Sequence, residues 1–160
     1  MPELTISSDD LTVLAENVLQ GGNMLRFRAM GGSMYPFVRN GDILEIEPLH
    51  GGQVSLFDII LYKTGDQRLL AHRVVGINHQ KKTPEIILQG DALLLKDLPI
   101  PTDQVLGRVI AVQRNGKIIR MDSSFQRLLA RLWVGMEPIR PILYRLKARL
   151  GNFHLGSPQI

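Results

Sequence analysis

The sequence predicts a mainly β domain, a curled or partly closed antiparallel sheet, with one short helix before it and a helical tail after it. Three observations carry this. Between residues 24 and 121 the apolar residues alternate with polar ones or run as short branched blocks, each bounded by Gly, Pro, Asp or Asn. Ahead of that region and behind it, the apolar period lengthens to that of a helix. Many short strands after a single helix argue for a sheet that curls on itself. The expected organisation is a helix in 1–23, the β domain in 24–121 and a basic amphipathic helical tail in 122–160.

Taken in order, Ser7-Ser8-Asp9-Asp10 supplies side-chain oxygens for the first free amides of a helix. Leu11, Leu14, Ala15, Val18 and Leu19 follow at helical spacing, and Gly21-Gly22 ends the run. In LRFRAM, Leu25, Phe27 and Ala29 alternate with Arg26, Arg28 and Met30, and in ILEIE apolar residues alternate with Glu45 and Glu47. DIILYK, LLAHRVVGI, EIILQG, VLGRVIAV and KIIRM complete a set of about seven strands. In the tail, Phe125, Leu128, Leu129, Leu132, Trp133 and Met136 recur at helical spacing, with Arg127 and Arg131 off that stripe. Pro138 and Pro141 interrupt it. Ile142, Leu143, Leu146 and Leu150 then form a second stripe beside Arg145, Lys147 and Arg149. Two readings stand: a pair of helices packed on the β domain, or a basic amphipathic anchor on an anionic membrane surface with Trp133 at the interface.

Composition narrows the function classes. A length of 160 residues suits one domain, and a hydrophobic fraction of 44% is too rich for a disordered chain. With no cysteine, disulfides and thiolate metal sites are excluded. No run approaches the ~18 apolar residues of a membrane span. The acidic, polar start MPELTISSDD is unlike a secretory signal, so the expected location is the cytoplasm, with peripheral contact on the inner membrane face through the tail. The net charge of +4 is uneven: Arg120 to Arg149 holds seven Lys or Arg against two acids, and the rest holds twelve against thirteen. A basic tail suits an anionic surface. Nucleic acid is not the expected partner, because only about twenty residues precede the first strand and leave no room there for a helix-turn-helix. There is no His-x-x-x-His, no compact carboxylate–histidine cluster and no Gly-rich loop opening a helix, so neither a metal nor a nucleotide cofactor is expected.

Residues 31–42, GGSMYPFVRNGD, surround one serine with glycines, a proline and a Gly-Asp pair. Such backbone control suits either a decorated turn or a presented nucleophile. A serine hydroxyl becomes a useful nucleophile when a base within hydrogen-bond reach takes its proton. Of the four histidines, His50 lies beside Gly51-Gly52, His79 in the polar turn NHQKK and His154 near the end. Only His72 lies inside a strand, on a face with Leu70 and Val74; it reads either as a satisfied core or rim histidine or as the base, since apolar neighbours favour the neutral imidazole that a base requires.

Taken together, these stretches resemble the conserved boxes of the type I signal peptidase family. GGSMYPFVRNGDIL resembles its nucleophile box, FDIILYK its next strand, AHRVVGI its base box, ILQGDALLLKD its Gly-Asp box and VLGRVIAV its closing strand. They come in the family's order and span about residues 25 to 113. Histidine at position 72, where most bacterial members and the self-cleaving SOS repressors carry lysine, is similar to the archaeal and endoplasmic-reticulum branch. That branch has an aspartate six residues beyond the Asp of the Gly-Asp box, and counting from Asp91 gives Asp97. The resemblance therefore implies a signal-peptidase-type fold with Ser33 as nucleophile, His72 as general base, Asp97 as its orienter and Asp91 as a structural or supporting carboxylate. It implies the Ser33 amide as one oxyanion donor. It also implies a peptide or preprotein substrate laid as an added β-strand beside Phe27–Gly32, which includes Ala29, Met30 and Gly31, and beside Leu70–Arg73. Small pockets near Met34 and Ala71 would take small side chains.

Three departures bear on function. Gly31 stands where many relatives have a serine whose hydroxyl helps hold the oxyanion. Phe57-Asp58 stands where Gly-Asp is usual. The membrane helix usual before the catalytic domain is replaced by a polar helix. A serine endopeptidase acting on a leader or signal-like segment is the leading expectation. A non-catalytic peptide-binding adaptor and a self-cleaving regulatory domain are the alternatives.

Overall fold

Helix α1 (Ser8–Gln20) opens the described chain, which in this computed structural model comprises residues 8–49, 54–80 and 83–139. Ser7, part of the expected cap, lies outside them, as do His50, His154 and the second apolar stripe of the tail. The helix ends where the sequence places its glycines. Gly22 adopts φ +81°, and the amides of Gly22 and Asn23 return to the carbonyls of Leu19 and Val18 at 3.0 and 3.1 Å. Thr12, Ala15 and Leu19 are buried, whereas Leu14, expected on the inner face, is largely exposed. Polar anchors set this rotation: the Thr12 hydroxyl donates to the Gln67 carbonyl at 2.8 Å, and Glu16 pairs with Lys63.

Eight strands follow: β1 (Leu25–Arg28), β2 (Ile43–Pro48), β3 (Ile59–Lys63), β4 (Leu69–Asn78), β5 (Glu85–Gln89), β6 (Ile100–Pro101), β7 (Val105–Arg114) and β8 (Lys117–Arg120). All pairings are antiparallel, in the order β1-β2-β7-β3-β4-β5-β6, with β8 added to β7. The strand beyond the expected seven, β6, has two residues and is too short to show a period. Strand β7 is the spine. Its first half pairs with β3, its middle with β2 and its end with β8. Register shifts at Glu45/Ile46, Leu61/Tyr62 and Val74/Gly76 bend the strands and curl the sheet.

The unbroken apolar run of β3 reflects burial on both faces. Ile59 and Leu61 join a core with Leu19, Met34, Leu44, Ile46 and Val109, while Ile60 and Tyr62 join another with Val74, Ile86 and Leu88. The β7–β8 hairpin closes through Asn115 (φ +49°) and Gly116 (φ +74°), the left-handed pair that matches strand twist.

Helix α2 (Ser124–Gly135) is capped by Ser123, whose side chain accepts the Gln126 amide at 3.3 Å. Its apolar stripe divides. Ala130 is buried and Trp133 half-buried, while Phe125, Leu128 and Leu132 are 66%, 54% and 56% exposed. Trp133, assigned by the anchor reading to a membrane interface, is instead docked on the domain. It meets the Phe37 ring edge-on at 6.2 Å and donates its indole N–H to the Asp91 carbonyl at 2.9 Å. Among the described residues, no helix is long and apolar enough to cross a membrane.

Candidate active site

Residues 30–40 form a loop pinched at its neck. The Ala29 amide donates to the Asp42 carbonyl and the Gly41 amide to the Ala29 carbonyl, each at 2.8 Å. Gly31 and Gly41 sit at φ +84° and +87°, a conformation that L side chains rarely adopt. The Gly31 amide is held by the Asn40 side chain at 2.9 Å. Asp42 is buried, accepting the Arg39 amide at 2.7 Å and the Arg114 guanidinium at 2.7–3.2 Å. Burial pushes its carboxyl up, but the Arg114 hydrogen bond, the Arg39 amide and the two guanidinium charges outweigh it and hold the pKa below the usual value.

Met34 and Val38 turn into the core and anchor the loop, which leaves Ser33 at the rim. The Ser33 carbonyl accepts the Ala92 amide at 2.8 Å. This docking requires glycine at position 90. A Cβ there would lie 2.7 Å from the Ser33 carbonyl oxygen and 2.9 Å from the Leu93 side chain. Gly90, legible in the sequence only as a turn residue, lets the loop after β5 rest on the nucleophile loop.

His72 projects from β4 opposite Ile60 and is 4% exposed. Its Nε2 lies 3.2 Å from Ser33 Oγ, and its Nδ1 lies 2.6 Å from Asp97 Oδ2. Asp97 is held on the β5–β6 loop by its own amide, which donates to the Leu88 carbonyl at 2.8 Å. An ionised carboxylate can only accept, so these contacts favour the tautomer with hydrogen on Nδ1. Nε2 then faces Ser33 as an acceptor. Tyr62, absent from the residues that the sequence nominated, completes the group. Its hydroxyl donates to Asp97 Oδ2 at 3.1 Å and lies 3.4 Å from His72 Nδ1. Burial first, then the charge and hydrogen bond of Asp97, push the Tyr62 phenol well above its ordinary pKa, so it stays a donor.

Asp91 stands off this line. Both its oxygens accept from Arg73, at 2.7 Å each, and both side chains are buried. Arg73 also donates to the Phe57 carbonyl at 2.8 Å and lies over the Phe37 ring at 4.5 Å. Asp91 therefore neutralises an arginine that ties together three loops, and it touches neither Ser33 nor His72 through this pair. Phe57, in the position expected to hold glycine, adopts φ +74°, a strained conformation for a bulky residue. The Phe57 amide donates to the Val74 carbonyl at 2.9 Å, and the Asp58 carboxylate accepts the Ser55 amide at 3.0 Å, which hold the turn.

A cavity of about 110 Å³ opens beside Ser33. Ala29, Met30, Gly31, Met34 and Ala71 all line it, together with Phe27, Leu61 and Leu69. Two strand edges with no partner among the described residues border it. Among those residues β1 pairs with β2 alone, and β5 pairs with β4 only from Arg73 onward, so Leu69 to His72 bond to β3 on one side only. Among the described residues, no group of three or more His, Asp or Glu side chains is placed to hold a metal ion. No protein-family model, no curated protein and no solved structure matches this chain.

Proposed function

We propose that the protein is a serine endopeptidase of the signal peptidase type, with Ser33 as nucleophile, His72 as general base and Asp97 as the carboxylate that orients the base. The observation that carries this is the continuous Ser33–His72–Asp97 contact, 3.2 and 2.6 Å, at the mouth of a cavity between the two strand edges. In this mechanism an extended peptide pairs with those edges and brings a carbonyl carbon to Ser33 Oγ. His72 Nε2 takes the hydroxyl proton as Oγ attacks, and Asp97 stabilises the imidazolium. The Ser33 amide, which donates to no described residue, receives the developing oxyanion. The imidazolium gives its proton to the leaving amine, the C–N bond breaks, and water releases the acyl group by the reverse sequence.

Leader or signal-like segments are the substrates that the sequence resemblance implies. The cavity's walls at Met34 and Ala71 suit small apolar side chains. The exposed Phe125, Leu128 and Leu132, with Arg127 and Arg131 beside them, give the protein a peripheral dock on an anionic membrane from the cytoplasmic side. A mixed library of extended peptides, read by mass spectrometry, tests the proposal. Cleavage by the native protein and none by Ser33→Ala supports it. Tight peptide binding without cleavage by either protein favours a peptide-binding adaptor instead.

A further inference from the structure

Tyr62 has a role that neither core packing nor the peptidase reading assigns. It projects from the centre of the sheet, where its ring fills the core with Ile60, Val74, Ile86 and Leu88. Phenylalanine would fill that space as well. What phenylalanine lacks is the hydroxyl, and the hydroxyl reaches the Asp97 oxygen that also receives His72 Nδ1. The antiparallel register makes this reach possible. Ile60 sits opposite His72 and Tyr62 opposite Leu70, so Tyr62 and His72 are diagonal neighbours on one face.

We propose that Tyr62 is a positioning residue of the site: its hydroxyl holds the Asp97 carboxylate so that Oδ2 receives the Nδ1–H of His72. The inference rests on the peptidase reading for its consequence, though not for its geometry. Asp97 needs such a hold. It sits on a loop, and its side chain is 26% exposed, whereas His72 is fixed in a strand. Without a second tether, the carboxylate could rotate towards water and release Nδ1. The hydroxyl also lies within 3.4 Å of Nδ1 itself. While Asp97 is present, the Tyr62 proton is committed to the carboxylate. Were Asp97 removed, the same proton could turn to Nδ1 and favour the tautomer with hydrogen on Nε2, which cannot accept from Ser33.

The test uses the full chain with Tyr62→Phe, which deletes one oxygen and keeps the ring. Two readouts are required. The first is the downfield imidazole N–H proton resonance of the His72–Asp97 hydrogen bond, which needs no substrate. The second is the rate at which a fluorophosphonate labels Ser33. The proposal expects Tyr62→Phe to shift or broaden the resonance and to slow labelling roughly 10- to 100-fold, the loss of one hydrogen bond to a charged group. It also expects no further slowing when Tyr62→Phe is added to Asp97→Ala, because the hydroxyl then has no carboxylate to hold. An unchanged resonance in folded Tyr62→Phe overturns the proposal, as does equal slowing in both backgrounds. If native Ser33 fails to label, the peptidase reading falls, and the resonance alone still decides whether Tyr62 positions Asp97. Should Tyr62→Phe not fold, 3-fluorotyrosine at position 62, in a chain with Tyr35 and Tyr144 as Phe, must shift the same resonance.

Discussion

Arg73 and Asp91 face each other through two hydrogen bonds of 2.7 Å, with side chains 4% and 2% exposed. Next along the strand, His72 points to Asp97 and Ser33. Adjacent residues of one strand thus serve two tasks on opposite faces, one chemical and one architectural.

Asp91→Ala should be mainly a stability lesion. It leaves a buried guanidinium without its anion, a change that costs about 3–5 kcal/mol. Chemical denaturation should show that loss, and the variant that still folds should keep a reactive Ser33. A stability change under about 1 kcal/mol would show that water compensates Arg73 and that the pair is not structural.

Asp97→Asn should behave in the opposite way. The Asn side chain can donate to Nδ1 and favour the wrong tautomer, so turnover should fall roughly 10²- to 10⁴-fold. Peptide binding and the unfolding midpoint should change little. A loss of binding that accounts for the whole effect would place Asp97 on the peptide and remove it from the mechanism.

Asp42 makes a pH-dependent contribution. Its folded pKa lies below the ordinary value, so the stability it adds is complete above about pH 4 and is lost as pH falls through the lower folded value. The difference in denaturant midpoint between the native protein and Asp42→Asn should therefore be flat from about pH 5 to 8 and shrink in more acid solution. A difference that persists unchanged through the acid range would mean that the Arg114 contact does not depend on the carboxylate charge.

Much of this arrangement was legible in the sequence, and the limits have physical causes. The strands are recognisable because their inward and outward residues alternate, as in Leu25-Arg26-Phe27-Arg28, or because both faces are buried, as in Ile59 to Tyr62. Ser33 stands out through its glycine frame and His72 through its place in a strand. Asp97 followed from family resemblance alone, since its own neighbours, Leu98-Pro99, describe only a turn. Tyr62 was hidden because its partnership depends on the β3–β4 register, which the chain does not display locally. In the sequence, the apolar residues from Phe125 to Met136 form one stripe. In α2 it splits, because Trp133 finds Phe37 and the Asp91 carbonyl while Phe125, Leu128 and Leu132 find no such cover among the described residues.

That uncovered face predicts membrane behaviour. Replacing Phe125, Leu128 and Leu132 with Ser should weaken co-sedimentation with anionic vesicles at least tenfold, since each side chain can gain on the order of 1 kcal/mol or more by burial. Raising the salt should weaken binding as well, because the Arg127 and Arg131 charges are then screened. Equal binding to neutral and anionic vesicles, or full binding by the triple variant, would contradict the anchor.

The central claim is that His72 activates Ser33. The most direct measurement is intact-mass labelling with a fluorophosphonate, followed by mapping of the modified residue. The account predicts one adduct per chain, on Ser33, lost in Ser33→Ala and strongly reduced in His72→Ala while both variants remain folded. Absence of labelling in the native protein, or equal labelling of Ser33 when His72 is Ala, would contradict it.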